Sequence, residues 1–266
     1  MGYAFRETIL AGQLIFNKIT TKGRTQKKGK RKEKKNPTLE QVQKMNQYYS
    51  EKELSIRLHH NFKPGDLHLT LTYSGEEPSK EKAKKEMKNF LERLKRLYKK
   101  HNQELKWILA TEYENKRIHH HMVISYIDPK LLSKSWGNGI VRPSILDETG
   151  DWRKLAKYLI KETSKTFRKE TAFSKRRWSC SRNVVTPNAR VEEVSAEQLF
   201  NPKATKGYYV DQDSIWKGIN PDTERPFMEY VQIAIYSPCK KYCRGKKRKF
   251  KKDKVKYTEK QISLAI

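Results

Sequence analysis

Cysteine is scarce in this chain. Cys180, Cys239 and Cys243 are all there is, an odd number without a framework spacing, so a disulfide-stapled fold is excluded. With no secretory signal at the start, a reducing cytoplasm is the expected setting. Cys239-x-x-x-Cys243 lacks a second pair of ligands and reads as two ordinary thiols. Long apolar runs are also missing. No stretch is long enough to span a bilayer and no lipid-facing amphipathic helix stands out, so no membrane partner is expected. Acidic residues are few beside basic ones: 30 Asp and Glu against 59 Lys and Arg, a net charge of +29. Such a charge repels itself unless an anion neutralises it, and a polyphosphate backbone is the usual partner. The 14 Tyr and 5 Trp are numerous enough to stack on unpaired bases. A chain of 266 residues can bury one good core and a smaller second unit.

The apolar opening over residues 1–21 predicts a short strand or hairpin. A basic run from Lys22 to Asn36 follows, and then Thr38 and Gln41 form a capping box that opens a helix toward Phe62. After the turn Pro64-Gly65-Asp66, LHLTLTY (Leu67–Tyr73) alternates strictly, as a strand with one buried face does. From Ser79 to about Lys100, Ala83, Met87, Phe90, Leu91, Leu94, Leu97 and Tyr98 recur at helical spacing. Lys130 to Trp136 reads as a short helix stopped by Gly137-Asn138-Gly139. Ile140 to Ile145 reads as a strand kept at a sheet edge by Pro143, and Asp151 to about Lys165 as a last helix. The order β-α-β-β-α-β-α predicts an α+β fold. Its first six elements are the split βαβ pattern of ferredoxin-like and RRM-like domains, an antiparallel sheet with helices on one face.

Between the first helix and the Lys130 helix lies WILATEYENKRIHHHMVISY, Trp107 to Tyr126. β-prone residues flank Glu114-Asn115-Lys116-Arg117, which predicts two strands joined by a tight turn. A two-residue turn at Asn115-Lys116 sets Glu112 opposite His119 and Ala110 opposite His121. Alternation then sends His119 and His121 one way and Ile118, His120, Met122 and Ile124 the other. Glu112 comes within roughly 4.5–8 Å of both imidazoles, Cβ to Cβ. A carboxylate and two imidazoles on one sheet face suit a divalent metal. The O/N donor set and the lack of a neighbouring cysteine favour Mg²⁺ or Mn²⁺ over structural zinc.

The last helix carries Trp152, Leu155, Ala156, Leu159 and Ile160 as its apolar stripe, leaving Lys154, Lys157, Tyr158, Lys161 and Lys165 around the rest. On the wheel alone, Tyr158 is a ring covering the edge of the stripe. The other reading is a phenolic nucleophile activated by neighbouring cations that also hold phosphate. Further on, Arg176-Arg177-Trp178-Ser179-Cys180-Ser181-Arg182-Asn183 alternates base and aromatic. Its Arg176, Arg177, Trp178 and Arg182 suit single-stranded DNA or an origin hairpin as well as they suit a soluble edge strand. Tyr208–Val210 and Phe227–Tyr236 predict a later hairpin around Asn220-Pro221-Asp222, and Lys240 to Lys256 is a second basic run.

LHLTLTY, Glu112 with His119-His120-His121, and Tyr158-x-x-Lys161, in that order, together resemble the motifs of HUH endonucleases, most of all rolling-circle replication initiators of phages and plasmids. His120 departs from the pattern, where the residue between the paired histidines is normally apolar. The resemblance implies that Glu112, His119 and His121 hold Mg²⁺ or Mn²⁺ and that Tyr158 attacks the scissile phosphate with help from Lys161, with Lys154 and Lys157 on the DNA. It implies a single-tyrosine enzyme that works with the host replication machinery and allows for a homo-oligomer. A relaxase or single-tyrosine transposase is the alternative within this chemistry; a non-catalytic RRM-like binder is the alternative outside it. The expected division is a basic, helical extension over 1–63, an HUH endonuclease domain over 64–170, a β-rich extension over 171–236 and a basic tail over 237–266.

Overall fold

Because Leu67, Leu69 and Leu71 alternate with His68, Thr70 and Thr72, strand β3 (Leu67–Thr72) has one face fully buried. The computed structural model describes residues 3–22, 38–113, 117–164, 176–220 and 225–235. The chain divides into two compact units, Asn36–Pro187 and Met1–Lys35 with Asn188–Ile266. The basic runs at 23–37 and 236–266, the expected turns at 114–116 and 221–224, and 165–175 with Lys165 lie outside the described residues.

The Asn36–Pro187 unit contains α1 (Leu39–Asn61), β3, α2 (Lys80–Lys100), β4 (Trp107–Glu112), β5 (His119–Ile124), α3 (Pro129–Trp136), β6 (Val141–Ile145), α4 (Arg153–Ser164) and β7 (Ser179–Cys180). Its sheet runs β6-β3-β5-β4-β7 and every pairing is antiparallel. The first four strands thus have the order of the split βαβ fold, with Pro143 in the edge strand β6 as its missing N–H requires. Leu67, Leu69 and Leu71 pack with Met122 and Ile124 against Met87, Phe90, Leu94 and Tyr98 of α2 and Leu132 and Trp136 of α3. Ser79 caps α2 by accepting from Lys82 N. Asp128 caps α3, and Gly137 ends it at φ 69°, a left-handed value that glycine adopts without strain. Arg93 of α2 then donates to the Ser135 and Trp136 carbonyls, satisfying the end of α3.

The α+β fold is as expected, with α2 and α3 on one face and the added helix α4 on the other, where α1 joins it. β4 and β5 are apolar on both sides: Ile108, Ala110 and Val123 point away from α2 and pack with Leu54, Leu58 and Phe62 of α1 and Trp152, Ala156, Leu159 and Ile160 of α4. Burial of so much aliphatic surface, worth roughly 1.5–3 kcal/mol per fully buried large side chain, ties α1 to the domain rather than leaving it in an extension. The stretch 176–183 departs from expectation as well. Only Ser179 and Cys180 pair with β4, and the chain then turns, with Val184 N donating to Ser181 O.

The other unit is an antiparallel sheet in the order β8-β1-β2-β10-β9, made of β1 (Tyr3–Ala11), β2 (Leu14–Lys22), β8 (Arg190–Val194), β9 (Tyr208–Asn220) and β10 (Arg225–Ala234). A lone β1–β2 hairpin has two open edges and is marginal in water. β8 closes one edge and β10 the other. Ala4, Ile19, Met228, Tyr230 and Leu199 form its core, and the buried Glu229 carboxylate meets Lys18 at 3.4 Å. The units therefore cut across the linear division at 63, 170 and 236, because the two ends of the chain complete one sheet.

Two positions test this packing. A Cβ on Gly139 would lie 2.3 Å from Thr72 O and 2.7 Å from Ser74 N, both backbone atoms at the end of β3. Gly139→Ala should therefore cost about 1–3 kcal/mol in urea unfolding, and an unchanged midpoint would contradict the close approach. Asp151, at the start of α4, accepts from Arg153 N and from its guanidinium. Burial alone would raise its carboxyl, but these Arg153 bonds hold it below its ordinary value of 3.8. A depressed carboxyl stabilises the fold above that value and loses its contribution as pH falls through the folded one. Asp151→Ala should cost about 1 kcal/mol at neutral pH, with the difference from wild type fading under acid conditions.

Candidate active site

The site begins with a ladder register. In the β4–β5 pair, Glu112 faces His119 and Ala110 faces His121, as the alternation of the sequence requires. Glu112 Oε2 lies 2.7 Å from His119 Nε2 and 3.9 Å from His121 Nε2, and one ligand atom from each of the three residues lies within 4.8 Å of the others. Glu112 is only 3% exposed. A carboxylate that deep needs a compensating charge.

The hydrogen bonds behind the histidines fix which of their nitrogens face Glu112. His119 Nδ1 lies 2.9 Å from the Arg117 carbonyl, which can only accept, so Nδ1 carries the proton. Nε2 then faces the Glu112 oxygen with its lone pair unless a second proton or a cation lies between them. His121 Nδ1 is backed at 3.4 Å by the Thr70 hydroxyl. One oxygen and two imidazole nitrogens, with each imidazole oriented from behind, can hold a divalent metal ion.

His120 is no part of this cluster. It points to the opposite face, where Nδ1 lies 2.8 Å from Thr111 Oγ1 and Nε2 2.9 Å from the Tyr73 hydroxyl, with Trp136 edge-on. Burial, and after it the neighbouring histidines, push it down to about 3, so it is a neutral core histidine.

The α4 helix brings Tyr158 to the cluster. Its hydroxyl lies 3.3 Å from His121 Nε2, its ring meets the His121 ring edge-on at 5.2 Å, and the side chain is 40% exposed. Lys154, Lys157 and Lys161 are exposed on the same helix. What aims α4 is a residue that sequence reasoning passed over. His59 Nδ1 donates to the Ser55 carbonyl at 2.6 Å, so Nε2 accepts, and it takes the Trp152 N–H at 2.8 Å while its ring stacks on Trp152. The start of α4 is thus bonded to α1. His68 was also passed over. It stacks on His121 at 5.4 Å, and burial pushes it down to about 4, so a neutral ring braces the His121 imidazole. Alternation along LHLTLT was the one signal for His68 and Thr70, since it puts both on the face of His121.

Of the residues expected to touch DNA, Arg176, Arg177 and Trp178 line a groove beside α1, whereas Arg182 is exposed and lies outside that lining.

Residues 66–167 match the family model of Replication-associated protein ORF2/G2P. The match covers less than half of the chain but contains β3 through α4, and with them Glu112, His119, His121, Tyr158 and Lys161. No curated protein and no solved structure matches the chain. The likeness to a replication-associated family agrees with a basic protein, and among the described residues no helix is long and apolar enough to cross a membrane.

The cluster predicts metal-linked stability. Mn²⁺ or Mg²⁺ added to EDTA-stripped protein should raise the thermal midpoint, by the equivalent of about 2.7 kcal/mol at a hundredfold excess over Kd. His119→Ala should remove most of the rise. An equal rise in both proteins would place the ion elsewhere.

Proposed function

We propose that the chain is a metal-dependent DNA endonuclease and strand transferase of the HUH kind, which nicks and rejoins single-stranded DNA at an origin to start rolling-circle replication. The observation that carries this is the Tyr158 hydroxyl, 3.3 Å from His121 in a cluster that also holds Glu112 and His119. A nucleophile and an electrophilic centre on one sheet face, from elements distant in sequence, are what phosphoryl transfer needs. The similarity of residues 66–167 to replication-associated proteins supports DNA as the substrate.

Glu112, His119 and His121 would hold Mg²⁺ or Mn²⁺, which when bound supplies a Lewis acid at the scissile phosphate. The Tyr158 oxygen attacks phosphorus, its phenolic proton is released and the P–O3′ bond breaks. The leaving oxygen takes up a proton, giving a 5′-phosphotyrosine and a free 3′-OH that primes synthesis. The phosphoester is conserved, so a 3′-OH can later attack the phosphotyrosine, release Tyr158 and rejoin the strand. Lys161, one turn beyond Tyr158, orients the phosphate, and Lys154 and Lys157 hold the flanking backbone. His121, backed by Thr70 and His68, presents its Nε2 edge toward the phenol. The face an RRM-like platform would leave open for stacked bases instead carries Thr70, Thr72, His119 and His121 on its central strands, beside the α1–α4 cover.

Incubation with an origin-bearing single strand and Mn²⁺ should yield a covalent protein–DNA adduct on a denaturing gel. Tyr158→Phe should abolish it and Tyr113→Phe should retain it. An adduct surviving in Tyr158→Phe would remove Tyr158 from the chemistry.

A further inference from the structure

A groove of about 760 Å³ lies between α1 and the segment before β7, lined by Asn46, Tyr49, Ser50, Glu53 and Arg57 from the helix and by Arg176 to Cys180 opposite. None of its lining residues falls within 66–167, so it lies wholly outside the part of the chain that resembles replication-associated proteins. The volume is in the range of roughly 300–1,000 Å³ that holds a small ligand. Its chemistry is uneven. Three guanidinium groups, those of Arg57, Arg176 and Arg177, meet one carboxylate, and that carboxylate, Glu53, is already bonded to Arg57 at 3.1 Å.

Two aromatic rings stand among these cations. Tyr49 is 44% exposed, and the Trp178 ring carries the Arg57 guanidinium 5.4 Å from its centroid. Arg57 is further pinned by donating to the Val184 carbonyl at 3.3 Å, so the stacked pair is set before any ligand arrives. Asn46 and Ser50 add short polar side chains along the same wall. Guanidinium groups for phosphate, ring faces for a flat heterocycle and amide or hydroxyl groups for its edge are what one or two nucleotides of an unpaired strand require. A duplex keeps its base faces stacked inside and cannot offer them to rings within a groove.

We propose that this groove is a second subsite for single-stranded DNA, separate from the Glu112, His119, His121 and Tyr158 cluster, which holds nucleotides flanking the nicked position. It rests on the reading that DNA is the substrate, but not on Tyr158 being the nucleophile. The placement of both walls beside β4, which ends at Glu112, puts the subsite on the same sheet as the cluster.

The test uses the full chain in a Tyr158→Phe background, so that no covalent step contributes, and fluorescence anisotropy with a labelled oligothymidylate of about twenty nucleotides. Tyr49→Ala and Arg176→Ala change exposed side chains, so neither should affect folding, and thermal melting of each variant checks this. Each is expected to weaken binding about tenfold, the scale of losing one stacked base or one phosphate contact, and Arg176→Ala should also lower the salt slope by about 0.7. Affinities within twofold of the parent for both variants would overturn the groove and leave the nicking proposal standing. A loss seen with a duplex or an RNA oligonucleotide but not with the DNA single strand would overturn it too. If the parent chain does not bind the oligonucleotide at all, both proposals fall.

Discussion

The antiparallel register between β4 and β5 is the constraint on which the rest depends. Side chains alternate with period two, so a slip of one residue would bury His119 and His121 in the α2 core and turn His120 to the face of Tyr158. The register is held because both faces of the pair are packed: Leu109 and Met122 toward α2 and α3, Ile108 and Val123 toward α1 and α4. A sheet covered on one side only would resist that slip less. The chemistry of Glu112, His119 and His121 is in this sense a consequence of aliphatic packing several residues away.

Tyr158 depends on a different set of interactions. Nothing local aims a tyrosine ringed by lysines at a sheet. α4 is seated by Trp152, Ala156, Leu159 and Ile160, and its first turn is fastened by the His59 imidazole and the Asp151 carboxylate. These two devices fix both the rotation of the helix and its distance from His121. The fastening reaches through α1, which therefore has two roles, as a wall of the core and as one side of the basic groove.

The excess of positive charge finds a structural meaning only in part. Much of it lies on exposed helix faces and in the basic runs at either end, where it favours any polyanion at long range. Around Arg57, Arg176 and Arg177 it is concentrated beside Tyr49 and Trp178, with Arg57 over the Trp178 ring and held by the Val184 carbonyl, so that there the position of the charge matters more than its amount.

Several features were legible from residue order. Leu67–Thr72 as a half-buried strand, the helix that starts after Ser79, Pro143 in an edge strand and the pairing of Glu112 with His119 all follow from short-range rules, because period and turn chemistry act over a few residues. The same rules placed His120 on the far face. Other features were not legible: that α1 packs on the sheet, that the two chain ends share one sheet, that 176–183 forms a two-residue strand and a groove wall, and that His59 and His68 stand behind Tyr158 and His121. Each joins residues far apart in the chain, and which apolar surfaces meet is decided by burial summed over the whole unit. The amino-acid sequence by itself determined the ladder that assembles an acid and two imidazoles. Tertiary packing alone decided that a phenol would be brought beside them.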